Sequence, residues 1–302
     1  MANSPNVTAM KTPAKAALYM AIAMIFFATM GIFIKLSSET LHPLEIVFFR
    51  NFLALIFFLP FIYRNGISVF KTNRKKLYTF RAIINVTGMA AGFTALTMIP
   101  LAEATALSFT APLFATFGAA LVLGEVIRMR RILALIFGFI GMLIILQPGI
   151  TPLSPGAGFA ILNAVTIGVT VLVVKNLTTT EPAKTIVIYM ALLQTPMALV
   201  PALFVWEWPG LTTWVWLICL AGAGTLGHLL YTRAIHLSEV SQMQPIEFIR
   251  LPIIAVFAYL LFAEIPTLWT WIGGIVIFSA TAYVTHREAQ LAKLDIDRQQ
   301  YL

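Results

Sequence analysis

The sequence predicts an all-α polytopic membrane protein: ten transmembrane helices forming two inverted five-helix repeats, with both termini cytoplasmic. Three observations carry this. First, 60% of the 302 residues are hydrophobic and 11% are charged, with a mean hydropathy of +0.90. Soluble domains are roughly 45–50% apolar and about 25% charged. A soluble fold of this composition would expose broad apolar patches, and a disordered or collagen-like chain is excluded on the same grounds. Second, apolar runs near the span length of about 20 residues recur ten times between polar breaks. Third, the basic residues gather on one side of that arrangement.

Span 1, residues 16–37, follows Lys11 and Lys15 and stays apolar from Ala16 to Ile34. That exceeds the roughly 7–15-residue core of a signal peptide, so it reads as a retained span. Span 2, 44–63, carries Arg50 inside it, with Glu45 near its outer end and expected to be hydrated. Span 3, 77–98, sets Arg81, Asn85, Gly88 and Gly92 on one helical face. Arg81 is near enough to the cytoplasmic end to snorkel. Span 4, 102–123, aligns Thr105, Ser108 and Pro112 and leads into Gly124-Glu125; span 5 is 131–147. Span 6, 157–176, aligns Asn163, Thr166 and Thr170, and span 7 is 184–206. Span 8, 212–234, aligns Ala221, Thr225, His228 and Thr232, with Tyr231 beside them. Span 9, 239–262, holds Pro245 and Pro252, an arc of Gln244, Glu247, Phe248 and Leu251, and Arg250; span 10 is 268–285. All must be helices, because an open strand in lipid leaves backbone groups unpaired. A barrel would need alternating polarity, which these runs lack.

Seventeen of the twenty Lys and Arg residues fall on the side of the termini; Lys35 is on the other, and Arg50 and Arg250 lie within spans. Basic residues are retained in the cytoplasm, which sets the orientation. It also explains the net charge of +8 without nucleic acid. All six tryptophans (Trp206, Trp208, Trp214, Trp216, Trp269 and Trp271) then lie at the opposite interface, a depth that indole rings favour. The lone Cys219 cannot form an internal disulfide.

The halves echo one another. Leu101 and Glu103 match Leu237 and Glu239 at a shift of 136 residues; Gly124-Glu125 matches Ala263-Glu264 at 139, and Lys35 matches Lys175 at 140. Five spans per half is an odd number, so the second half enters the membrane from the other side and the repeats are inverted. The parts are a 1–15 tail, a first repeat at 16–148, a 149–156 linker, a second repeat at 157–286 and a 287–302 tail. Such repeats place a substrate site near the midplane, between the halves.

HPLEIVFFRN (42–51), ALTMIPLAEATAL (95–107), Gly124-Glu125 and the echo ending in Ala263-Glu264 resemble the drug/metabolite transporter superfamily, and within it the ten-helix EamA-type branch. The resemblance covers about residues 16–286. It implies two five-helix repeats, a central cavity and secondary transport of small metabolites such as amino acids, nucleosides, S-adenosylmethionine, sugars or drugs. Ser238 where the first half has Ala102, and the charges of PIEFIRLP, depart from the general pattern.

The site is expected where prolines break matching spans, Pro112 in span 4 and Pro245 and Pro252 in span 9. A charge at the bilayer centre costs at least about 2.5 kcal/mol. Glu247 and Arg250, three residues apart, should therefore face a cavity or each other. Around them the candidate substrate-binding residues are Gln244, Phe248, Asn85, Gly88, Gly92, Ser108, Asn163, Thr166, His228, Tyr231 and Arg50. For the glycines and hydroxylated residues, close helix packing is the alternative. Phe26 and Phe27, with Phe248 and Tyr231, suit an aromatic or apolar portion of a substrate. Glu103, Glu125, Glu239 and Glu264 sit at helix ends, where hydration or the helix dipole accounts for them.

These residues predict a secondary transporter of a small polar or amphipathic metabolite, an amino-acid-like zwitterion or organic anion, in the inner (plasma) membrane. The alternatives are uptake of a nucleoside-type metabolite such as S-adenosylmethionine, or drug export. No GxxxxGK[ST] segment occurs, so ATP does not drive it directly; coupling would come from a proton, an exchanged counter-solute or the substrate gradient. An enzyme is disfavoured because catalysis needs clustered acids, bases or metal ligands, and His42, His228, His236 and His286 are scattered. No cofactor, metal or nucleic-acid partner is expected; the partners are the substrate and the lipid bilayer.

Overall fold

The computed structural model describes residues 11–66, 71–111, 113–115, 129–147, 154–237, 246–247, 250–280 and 283. Among these residues the chain is helix and connecting turn, without strand. The helices are α1 (Lys11–Ser37), α2 (Pro43–Asn65), α3 (Lys75–Met98), α4 (Leu101–Ser108) and α5 (Met129–Leu146). There follow α6 (Pro155–Leu177), α7 (Ala183–Ala202, prolonged by a 3₁₀ turn at Leu203–Val205), α8 (Leu211–Leu237) and α9 (Arg250–Phe262), and then α10 (Leu268–Ala280). Among the described residues, five segments are long and apolar enough to cross a membrane, corresponding to α1, α2, α6, α7 and α8, and shorter apolar helices accompany them. Leu18, Ile25, Phe57, Phe137, Leu260 and Ile275 all face outward and are exposed, a surface suited to lipid and not to water.

Local chemistry sets the helix starts. His42 caps α2: its Nδ1 accepts from Leu44 N, Pro43 takes the first turn, and Glu45 accepts from His42 N at 3.0 Å. This reciprocal pair satisfies two backbone donors that the helix leaves orphaned. Ser154 caps α6 by accepting from Ala157 N at 3.1 Å, with Pro155 following. In α4 the backbone ladder tightens to i→i−3 bonds at Phe109 and Thr110. The helix is thus interrupted just before Pro112, which itself lies outside the described residues.

The packing pairs are α1 with α8 and α3 with α6, then α2 with α7 and α8, α3 with α7, α1 with α9, α4 with α6, and α4 with α9. Exchanging the first five helices for the last five maps this set onto itself: α1–α8 becomes α6–α3, α2–α8 becomes α7–α3, and α1–α9 becomes α6–α4. α5 and α10 touch through glycines: a Cβ on Gly273 would sit 2.5 Å from Gly141 O, and one on Gly141 would sit 2.8 Å from Gly273 O.

Each end of the bundle is tied in the same way. At one end, the turn after α1 meets the α7–α8 connection. Thr40 and Thr213 hydroxyls lie 2.9 Å apart, and Glu207 N donates to Glu45 Oε1 at 2.6 Å. Trp206 packs on Phe48 and Phe49 there, and Trp214 on Phe49. At the other end, the segment before α3 meets the turn after α6. Thr72 donates to Glu181 at 2.7 Å, and Arg74 donates to Asn176 Oδ1 at 2.7 Å. Glu45 is consequently buried, not hydrated as its place near a span end suggested, because two backbone N–H groups need its carboxylate.

Candidate functional site

The polar stripes of the separate helices converge on a cavity of about 210 Å³ between α1, α3, α4, α6, α8 and α9. α3 contributes Arg81, Asn85 and Gly92; α4 contributes Thr105 and Ser108; α6 contributes Asn163, Thr166 and Thr170. From α8 come His228, Tyr231 and Thr232. Glu247 and Arg250 complete the polar lining, and Met24, Phe27 and Met30 of α1 supply an apolar wall. Periodicity explains the convergence: positions three or four apart share a face, and each polar face turns away from lipid.

Glu247 and Arg250 interact electrostatically, and the Tyr231 hydroxyl is hydrogen-bonded to Glu247. Arg250 Nη2 donates to Ser108 Oγ at 2.7 Å, and its guanidinium lies 5.7 Å from the Phe109 ring centroid. The pair thereby links α4, α8 and α9. His228 meets Phe27 edge-on, ring centroids 5.0 Å apart. Thr166 donates to Asn163 O at 2.7 Å, which holds both on the α6 wall.

Nine of the thirteen candidate residues line the cavity: Glu247, Arg250, Asn85, Gly92, Ser108, Asn163, Thr166, His228 and Tyr231. Gln244 and Phe248 lie outside the described residues. Gly88 does not line it. A Cβ there would collide with Thr166 Oγ1, so Gly88 lets α3 approach α6. Gly92 does both, since its Cβ would sit 2.8 Å from Asn163. Arg50 is fully buried away from the cavity, donating to Asn51 Oδ1 at 2.9 Å. Gly224 makes room for it, as a Cβ there would sit 3.1 Å from Arg50 Nε.

The snorkelling expectation for Arg81 is corrected. It is 3% exposed and lines the cavity, with Nη1 donating to Ile186 O at 3.4 Å and Nη2 to Met190 Sδ at 3.6 Å. The helix turns Arg81 inward with Asn85 on the same face, and α7 covers it from the end of the bundle. The signal was present in the stripe that already included Arg81. The methionines Met24, Met30 and Met89 were not anticipated; they line the cavity as flexible, polarisable apolar surface.

Beside the cavity-lining Ile34 and Leu101, Lys35 forms an ion pair with Glu264, whose other oxygen accepts from Leu101 N at 2.8 Å. One carboxylate thus joins the ends of α1 and α9 to the start of α4. Glu264 is engaged and not merely hydrated. Among the described residues no three His, Cys, Asp or Glu side chains are placed to hold a metal.

The EamA-like transporter family matches this chain twice, at residues 14–147 and 154–285. The chain is 26% identical over 280 residues to the S-adenosylmethionine uptake transporter of Rickettsia prowazekii (strain Madrid E), covering 93% of this chain and 95% of that protein. It is 29% identical over 286 residues to the riboflavin transporter of Vibrio cholerae serotype O1, covering 93% and 96% respectively. A solved crystal structure superimposes with a TM-score of 0.65 at 16% identity, over 92% of this chain and 99% of that one, a likeness of fold alone. With the helices, the outward apolar surface and a cavity between the helices that gathers their polar side chains, the two successive matches have one reading: the chain belongs to the EamA-like transporter family and is a membrane transporter of small molecules, not an enzyme.

Proposed function

We propose that the protein is a secondary transporter that carries an amino-acid-like zwitterion or related organic anion across the inner membrane by alternating access. Ten spans form two inverted repeats, residues 16–148 and 157–286, with both termini cytoplasmic. The self-mapping packing pairs and the paired ties at the two ends of the bundle support that arrangement. Inverted repeats can exchange conformations, opening the cavity to one side and then the other. A proton or counter-solute drives the cycle.

The observation that carries the reading is the pairing of Glu247 with Arg250 in a cavity lined from both halves of the chain. An ammonium group suits Glu247 and a carboxylate suits Arg250, so a zwitterion can replace their mutual attraction. The test screens amino acids and nucleoside-type metabolites by thermal shift on purified protein, since a ligand of the native state raises its stability. Counterflow of the stabilising compound is then measured in proteoliposomes for wild type, Glu247→Gln, Arg250→Gln and the double variant. Each single change should weaken substrate binding at least tenfold, and the double variant should be stable but inactive. A fully active double variant would mean that the residues only neutralise each other.

A second reading, a nucleoside-type or heteroaromatic substrate, is favoured by the Phe27, Met24 and Met30 wall and by the names of the relatives. S-adenosylmethionine itself has an amino-acid head, so one cavity serves both readings chemically. The thermal-shift screen separates them.

A further inference from the structure

Three arginines are set deep in the bundle, and they are not equally compensated. A guanidinium stays charged at any physiological pH and offers five donors. Removing it from water costs several kcal/mol unless an opposite charge and hydrogen bonds replace the solvent. Arg250 has Glu247, Ser108 Oγ and the Phe109 ring. Arg50 has Asn51 Oδ1 alone, its Nε and Nη2 meeting no acceptor among the described residues, but it stands off the cavity, and Arg250 Nε is likewise unmatched. What sets Arg81 apart is that it lines the cavity with no carboxylate beside it among those residues. Arg81 has only the long contacts to Ile186 O and Met190 Sδ, and its Nε meets no acceptor among the described residues. It forms no ion pair among those residues either, and it repels the nearby Arg50 and any positive charge on His228.

The cavity is therefore electrically lopsided. On the α4–α9 side Glu247 and Arg250 cancel. Away from that pair, Arg81 has no counter-charge among the described residues; the Asn85 amide lies one helical turn along the same face of α3, and His228 of α8 lines the same cavity. Among the described residues, the charged groups that line the cavity are Arg81, Glu247 and Arg250, which with Glu247 ionised against Arg250 sum to one positive charge. A monoanion balances that; a doubly charged phosphate would exceed it. A carboxylate also matches the planar fork of a guanidinium through two parallel hydrogen bonds.

We propose that Arg81, assisted by Asn85 and His228, is an anion subsite that takes a carboxylate of the substrate, separate from the Glu247–Arg250 pair. This rests on the reading of the cavity as the transport site, and it narrows the substrate to a zwitterion bearing one further carboxylate, with net charge −1. Arg81 becomes the residue that selects acid over amide, while Glu247 and Arg250 receive the amino-acid head common to both.

The experiment uses the purified full chain and the matched probes glutamate and glutamine, aspartate and asparagine. Binding is measured by thermal shift and by isothermal titration for wild type, Arg81→Gln, Arg81→Lys and Arg250→Gln. In wild type at least one acid should bind tenfold or more tightly than its amide. Arg81→Gln should bring that ratio close to one, whereas Arg250→Gln should weaken acid and amide together and leave the ratio above five. Acid and amide binding equally to wild type, or an acid preference that survives Arg81→Gln, overturns the subsite and leaves the transport reading standing on the amides' dependence on Glu247 and Arg250. Binding of neither member of either pair overturns the monoanion assignment, while saturable counterflow of another metabolite would still uphold transport. Should Arg81→Gln fail to fold, Arg81→Lys decides. It keeps the charge but loses the fork, so a reduced acid–amide ratio supports the subsite and an unchanged ratio overturns it.

Discussion

Glu45 illustrates how much a single carboxylate can carry in this bundle. It accepts from His42 N within its own cap and from Glu207 N across the molecule, so it fixes the start of α2 and the α7–α8 connection together. Replacing it with Ala removes the acceptor of two N–H groups, each hydrogen bond worth about 0.5–1.5 kcal/mol, and with them the link between the start of α2 and the α7–α8 connection. Glu45→Ala should therefore lower the thermal unfolding temperature in detergent far more than Glu39→Ala, a change at an exposed residue of the preceding turn. Equal effects would show that Glu45 is dispensable. The sequence alone made Glu45 look hydrated because it lies near a span end. Its second partner is 162 residues away, and no local pattern encodes such a contact. Arg81 teaches the same lesson in reverse: its stripe was legible, but the covering by α7 that forbids snorkelling was not.

Among the elements, the α3–α6 pair positions most of the polar lining. Gly88 and Gly92 allow α3 to lie against Thr166 and Asn163. Since only Gly92 borders the cavity, the two glycines should respond differently to added volume. Gly88→Leu should destabilise the protein by about 1–3 kcal/mol through overpacking, with substrate affinity of the folded fraction kept within about twofold, a change of under 1 kcal/mol. Gly92→Leu should lower affinity as well. Thermal unfolding read beside binding on the same samples checks this, and an affinity loss confined to Gly88→Leu would reverse the assignment. The linkage of Lys35, Glu264 and Leu101 works similarly at the level of helix ends, because three elements share one carboxylate at the margin of the cavity. The existence and order of the helices were readable from apolar runs. Which helices pair was not, since lipid-facing and protein-facing apolar residues look alike in composition.

For the whole molecule, the charge distribution makes a prediction about sidedness. Reporter fusions after Lys75, Arg130 and Arg287 should report cytoplasm, and fusions after Pro152, Pro209 and Pro266 the opposite side. A cytoplasmic signal at Pro209 and Pro266 would break the ten-span arrangement. The helical membrane class was the most legible property of the sequence, because hydropathy acts on each segment almost independently of the others. By itself the sequence determined the helical membrane class, the order of the polar stripes and the internal echo, since each depends on spacing along the chain. The tertiary structure alone decided that Arg81 turns inward, that Gly88 serves packing, and that Arg50 stands away from the cavity. Whether a buried group faces a cavity, a carbonyl or another charge depends on which helix lies against it, and that is settled by contacts between residues far apart in sequence.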